Sequence, residues 1–282
     1  MLRRRSSGRQ LRIVITPPVR WSLPSFGRLW EAREVLARFA ARDITLRYRQ
    51  TALGVLWVVL QPLLAAGVLS FVFGNVAKLP SGGVPSIVYT FAGLLLFNLM
   101  NTVITRGSMS LVGNSSLVSK LYFPRLLIPL STAGSALMDF VVSLAFMSVL
   151  FGIYGIGLPG PAVVLVPVWV VLTICLAEGI AFVTSALMVS YRDVGYMVPF
   201  LLQVMLYASP VAYSLGKIPA HYRIFYDINP MTWLLADIRW SLLHQPQPSV
   251  GILLLSVVVP LAVLMVGSFV FQQLERGFAD VI

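Results

Sequence analysis

Charge is what this chain has least of. Only 11% of its 282 residues are Asp, Glu, Lys or Arg, against 58% that are hydrophobic. A soluble domain carries about 25% charged residues, so too little polar side chain is present to wrap this apolar content in water. A bilayer is the solvent that fits. Cysteine is nearly absent: Cys175 stands alone in an apolar run, which excludes disulfides and thiolate metal centres. Histidine is almost as scarce, and His221 and His244 form no H-E-x-x-H pattern, so no zinc site is expected. No G-x-x-x-x-G-K-[ST] stretch occurs, so the chain has no loop of its own to cradle the phosphates of ATP. Pro80–Ser81–Gly82–Gly83 has glycines but no lysine and reads as a turn. The carboxylates are too scattered for acid–base catalysis. No catalytic residue, metal or cofactor is expected.

Long apolar runs are what the chain does have. They occur near 52–74, 86–105, 126–153, 162–189, 195–215 and 250–272, each long enough to cross about 30 Å of hydrocarbon. The expected fold is an all-α integral membrane protein with about six transmembrane helices. Between the runs lie a Pro/Gly turn at Lys78–Pro85, a polar segment from Arg106 to Arg125, a hinge at Gly155–Pro161, a break at Tyr191–Asp193, and a long mixed segment over 216–249. Three regions follow: a basic tail over 1–24, an amphipathic helix over 25–50 and a six-span domain over 51–282.

The basic excess sits at the N-terminus. Twelve arginines, from Arg3 to Arg49, fall within the first fifty residues, against Glu31, Glu34 and Asp43. An arm for nucleic acid is one reading of such a stretch. On a membrane protein the stronger one is an orientation signal, because Lys- and Arg-rich flanks stay cytoplasmic. No apolar core follows Arg3–Arg5 closely enough for a cleaved signal peptide. An even number of spans returns the C-terminus to the same side. Both termini are expected in the cytoplasm, together with the connections that carry Arg106, Lys120, Arg125 and Arg192, and 216–249 is expected outside.

Two segments read as helices that do not span. On a helical wheel of 25–49, Arg28, Glu31, Glu34, Arg38, Arg42 and Arg49 gather on one side. Phe26, Leu29, Trp30, Leu36, Ala40, Ile44 and Tyr48 gather on the other. That is the pattern of a helix in the membrane interface, with arginines near anionic headgroups, or of one docked on another subunit. In the outer segment, Met231–Leu243 is short for a span and rich for a loop. With Asn229–Pro230 to open it, a re-entrant or interfacial helix is expected.

Two carboxylates, Asp139 and Glu178, fall inside apolar runs. Each costs about 2.5–3.5 kcal/mol at mid-membrane on insertion scales, so each is expected to face protein or water. Lining a polar pathway and closing an interhelical hydrogen bond are both open.

Four blocks in this order resemble a known family. The first is Arg42–Asp43, Leu46–Arg47–Tyr48–Arg49–Gln50–Thr51, Leu53–Gly54, Trp57 and Gln61–Pro62. The second is Asn114 to Arg125, reading N-S-S-L-V-S-K-L-Y-F-P-R. The third is Tyr191–Arg192–Asp193 with Pro199, Gln203, Ser209–Pro210–Val211 and Tyr213, and the fourth is Asn229–Pro230–Met231 with Arg239. Together they are similar to the ABC-2 type permeases that export polysaccharides. The resemblance implies a homodimer in the bacterial inner membrane bound to two copies of a separate ATP-binding cassette subunit. It implies coupling to that subunit through Asn114, Ser115, Leu117 and Lys120, with Arg192 and Asp193 beside them. It implies an outer gate at Asn229, Pro230, Trp233 and Arg239, and a lipid-linked glycan as cargo, such as an O-antigen, a capsular polymer or a teichoic-acid-like chain. A sugar polymer needs flat amphipathic walls, which aromatic rings supply. Trp57, Tyr207 and Tyr213 are the expected lining of the substrate channel, whereas Trp30 and Trp169 are expected in interfacial belts. A related permease for a drug or small lipid is the alternative. A membrane-embedded transferase would need clustered carboxylates or histidines, which are missing.

Overall fold

Each long apolar run forms a helix, because in hydrocarbon a backbone without water must satisfy its N–H and C=O groups within the segment. The computed structural model describes residues 27, 31–48, 54, 56–120, 123–157, 159–275 and 277–278. The basic tail, Trp30 and Tyr122 lie outside the described residues. Every regular element among those residues is helical.

Helix α1 covers Arg33–Tyr48 and α2 covers Leu56–Leu69, continuing as a π-helical stretch over Ser70–Val76. Then come α3 (Ser86–Gly113), the short α4 (Ser115–Lys120) and α5 (Leu127–Tyr154). A 3₁₀ turn at Pro161–Leu165 leads into α6 (Val166–Ser190), followed by α7 (Val194–Ala208). The chain closes with α8 (Ala220–Asp227), α9 (Pro230–Leu243) and α10 (Val250–Glu275). Five of these segments are long and apolar enough to span, namely Leu56–Val76, Ser86–Gly113, Leu127–Tyr154, Pro161–Ser190 and Val250–Glu275. The remaining run, 195–215, is shorter as a helix than as an apolar stretch. α7 has 15 residues, about 22 Å at 1.5 Å each, and Ser209–Pro210 breaks it. Residues 209–213 continue without helical structure and are buried. Irregular backbone is tolerated at membrane depth only inside protein, and here protein surrounds it.

The core is built around α3, which packs against α2, α5, α6, α7 and α9. From Val88 to Ser108 it is buried except at Asn98, Asn101, Thr102, Thr105 and Arg106. It also runs past the expected boundary at 105. Arg106 belongs to the helix and donates to the Ser135 hydroxyl at 2.7 Å, rather than starting a loop. The second close contact joins α6 to α10 through two glycines. A Cβ on Gly267 would stand 2.1 Å from the Gly179 carbonyl oxygen, and one on Gly179 would stand 2.5 Å from that of Val263. Small residues let membrane helices approach this closely, where no hydrophobic force draws them together.

Contacts between loops sort the bundle into two ends. At one, Arg125 pairs with Glu275 at 3.7 Å and lies over the Phe278 ring, so the start of α5 meets the end of α10. At the other, the Ser214 N–H donates to the Pro80 carbonyl, and the Gln245 side chain donates to that of Gly82. The stretch 214–245 therefore leaves and returns beside one turn. It is a helical hairpin, α8 then α9, and α9 is largely buried. Trp169, expected in an interfacial belt, is instead buried in α6 and donates its indole N–H to Ser241 of α9 at 2.9 Å. The re-entrant hairpin covers the surface that would otherwise have put this ring at the lipid boundary.

Candidate functional site

Helices α2 and α7 both lean on α3 but leave a gap between them. The gap is a cavity of about 690 Å³, floored by α3, flanked by α5 and closed at one end by the tip of α1. On α3 its wall runs from Leu94 to Thr105, a rise of about 17 Å, or half the hydrocarbon thickness.

Its polar groups come from one stripe. Asn98, Asn101, Thr102 and Thr105 line it, at the i, i+3, i+4, i+7 spacing that puts residues on one helix face. Gln61 of α2 and Gln203 of α7 face them from the flanks. Thr105 donates to the Asn101 side-chain carbonyl at 3.3 Å. Among the described residues, the side chains of Gln61, Asn98, Thr102 and Gln203 make no hydrogen bond to protein, which leaves their donors and acceptors to the cavity.

At the α1 end the wall is ionic. Arg47 pairs with Asp139 of α5 at 2.5 Å, with its Nε 2.8 Å from the other carboxylate oxygen, and the Tyr48 hydroxyl donates to the same carboxylate at 2.6 Å. Burial, and then that bond, push the Tyr48 phenol up to about 12, so it remains a donor throughout the physiological range. Asp139 thus closes an interhelical bond and stands in the wall of the cavity.

The route from this clasp back along α1 is polar as well. Asp43 accepts from Ser131 of α5 at 3.3 Å, while Arg42 donates to Asp43 and to the Asn114 side-chain carbonyl at 3.2 Å. Phe39 stacks edge-on against Phe123. The contacts step up both helices in the same order, 39 to 123, 43 to 131, 47 to 139, so α1 climbs alongside α5. Charged residues dock it together with members of the expected apolar stripe, since Ala40 lies against Gly134 and Tyr48 reaches Asp139. Asn114 also donates to the Ser110 carbonyl at the end of α3, just before α4. Ser115 and Ser116 are exposed and Leu117 is half-buried, and Arg192 and Asp193 lie exposed in the turn before α7. The backbone of Lys120 ends α4.

The three aromatics expected to line the channel do not share one space. Trp57, half-exposed, lines the large cavity. Tyr207 and Tyr213 border a separate, small pocket toward the other end. Tyr213 is 7% exposed, and its hydroxyl lies 3.0 Å from that of Tyr226 on α8 while its ring packs on Phe73. Above the cavity, the hairpin is pinned to the broken end of α7. Asn229 accepts from the Met231 N–H as the N-cap of α9 and donates to the Ser209 hydroxyl at 2.8 Å. Arg239 donates to the Val211 carbonyl at 2.5 Å and lies 3.9 Å over the Tyr89 ring. Gly93 makes the fit possible, since a Cβ there would meet the Val211 oxygen at 2.6 Å. Pro230 starts α9, and Trp233 is buried on it. Glu178 is fully buried in α6, away from the cavity wall, and its carboxyl oxygens meet no partner among the described residues.

The amide and hydroxyl stripe is what sequence reasoning missed. Its signal was available in the spacing of 98, 101, 102 and 105 inside an otherwise apolar run.

Comparison with known proteins bears on this architecture. Residues 35–243 match the ABC-2 type transporter family. Over 254 residues the chain is 28% identical to the O-antigen export system permease protein RfbA of Myxococcus xanthus, covering 89% of this chain and 96% of that protein. It is 24% identical over 252 residues to the protein of the same name from Klebsiella pneumoniae, covering 88% of this chain and 95% of the other.

Proposed function

Because the chain belongs to the ABC-2 type transporter family, we propose that it is the membrane-spanning subunit of an ATP-driven exporter that moves a lipid-linked polysaccharide out across a bacterial inner membrane. The observation that carries this is the cavity between α2 and α7, half the membrane deep and lined along one face of α3 by amides and hydroxyls in an otherwise apolar bundle. Amides and hydroxyls at that depth are costly unless something hydrogen-bonds them. A sugar chain and its water do so. The relatives named O-antigen export permeases support the same cargo class. A drug or small lipid would favour an apolar wall, and the stripe on α3 weighs against that alternative.

The geometry supports a division of labour. The flanks of the cavity expose apolar side chains, Leu64 and Val68 on α2 and Phe200 and Leu201 on α7, and a second copy of this chain laid against them would close the gap into a channel. Asn114–Lys120 and the Arg192–Asp193 turn are the surfaces offered to two copies of a separate ATP-binding cassette subunit. A push on α4 would reach the cavity through Asn114, Arg42, α1 and the Arg47–Asp139 clasp. Both termini would then be cytoplasmic, with the α8–α9 hairpin as the outer gate and Trp57, Tyr207 and Tyr213 as successive aromatic contacts for sugar rings.

Deleting the gene in its native host tests the reading. Surface polysaccharide should disappear and lipid-linked polymer should accumulate inside, with both reversed by the restored gene. Unchanged surface polysaccharide would overturn it.

A further inference from the structure

The cavity wall holds information about the charge of the cargo. Its two ionised side chains cancel each other: Arg47 and Asp139 are in contact at 2.5 Å, with Tyr48 on the same carboxylate. Among the described residues, no other Asp, Glu, Lys or Arg lines it. The other polar side chains of the wall are Gln61, Asn98, Asn101, Thr102, Thr105, Ser143 and Gln203, set among apolar ones such as Leu95, Phe140 and Leu206. An amide or a hydroxyl offers both a donor and an acceptor, as each sugar hydroxyl does. None of them offers net charge. Four sit on one face of α3, spread over about 10 Å along its axis, and the two glutamines oppose them, so a chain lying in the groove meets hydrogen-bonding groups on three sides.

From this we infer that the cavity is a track for an uncharged, hydroxyl-rich polymer, and that the α3 stripe sets this specificity. The inference rests on the export reading and narrows it. A repeat unit bearing a carboxylate or phosphate would lose its hydration inside the membrane without gaining a cation, because the guanidinium found among the described lining residues is committed to Asp139. Charged groups transferred to such surroundings are disfavoured unless paired. A neutral polyol exchanges water for the stripe at little cost, and because amides and hydroxyls bind hydroxyls without regard to order, the polymer can slide.

Chemical analysis of the polymer on the native host's surface, beside a set of variants, tests this. If deletion of the gene removes the polymer, its repeat unit should contain no uronic acid, phosphate or amino group left unacylated. The Asn98→Leu/Asn101→Leu variant removes both amides and should lower export about tenfold at an unchanged level of complex. Asn101→Ser, smaller but still hydrogen-bonding, should lose no more than about twofold. Asn101→Asp and Asn101→Lys should both lower export, since neither sign of charge finds a counterpart on a neutral chain. A polymer with a charged repeat overturns the inference and leaves the export reading standing, as does an Asn101→Lys variant that outperforms Asn101→Asp by an order of magnitude. Full export by the double-Leu variant removes the stripe from the pathway. A deletion strain with normal surface polymer takes down the export reading itself.

Discussion

Asp139 is the residue whose surroundings are most demanding. It is a carboxylate 13 residues into a 28-residue apolar helix, held by one guanidinium and one phenol from α1. Arg47 and Asp139 keep 30% and 14% of their side-chain surface exposed, so the pair stands between a surface bridge, worth 1 kcal/mol at most, and a buried one, whose breakage costs about 3–5 kcal/mol. Asp139→Ala should lower stability by about 2 kcal/mol, since it strands Arg47 in the cavity wall. Tyr48→Phe removes one hydrogen bond to a charged acceptor and should cost about 1.5 kcal/mol. Arg47→Ala/Asp139→Ala should cost less than the sum of its single changes, because the second removal relieves the first. Thermal unfolding of the detergent-purified protein reads all of these, and strict additivity would mean that the two side chains do not hold each other. The wheel of 25–49 put Arg42 on the outer side, yet it reaches Asp43 and Asn114. A wheel ranks faces by hydrophobicity, and this helix docks by charged side chains as well as by apolar ones.

Among the elements, the α6–α10 pair depends most on the absence of side chains. With the Gly179 oxygen 2.1 Å from the place a Cβ would take on Gly267, the neighbour in the way is backbone and cannot rotate aside. Gly267→Ala should push the two helices apart and cost several kcal/mol, about the range of overpacked cores, with loss of folded protein on extraction. Gly67, inside α2 with nothing within 4 Å of its missing Cβ, should accept Ala with no loss and a gain of up to about 1 kcal/mol from helix propensity. Equal tolerance at both sites would contradict the packing. Elements were mostly legible in the sequence. Apolar runs found the spans, and Asn229–Pro230 announced α9, because an N-cap and a proline at N1 are local chemistry. The break in α7 was not legible. Ser209–Pro210 permits a break, but Pro62, Pro199 and Pro260 stand inside helices, and what holds 209–213 out of the helix is their engagement by Asn229, Arg239 and Tyr226 from a distant segment. The α3 stripe escaped for a related reason: four polar residues among 28 vanish in a hydropathy average, and only a neighbour-free face on the folded helix shows what they line.

At the scale of the whole molecule, the chain half-encloses a path with amides and hydroxyls along one wall. α3 is the floor, α1 meets Asn114 just ahead of α4 at the end where force would enter, and the α8–α9 hairpin is pinned over the other. α10 stands apart from the path: among its residues Val266 is 61% exposed and faces away from the cavity, as a lipid-facing helix should. That contrast supplies the most direct test of the central claim, that the cargo travels through the space between α2 and α7. A photoreactive aromatic side chain is placed at Gln203, Trp57 or Val266 in separate variants, in cells whose ATP-binding subunit is arrested in hydrolysis so that export stalls midway. On illumination, Gln203 and Trp57 should yield permease covalently joined to polysaccharide, and Val266 should yield lipid adducts alone. Polysaccharide joined at Val266 as readily as at Gln203, or none at Gln203 while stalled polymer is present, would contradict the account.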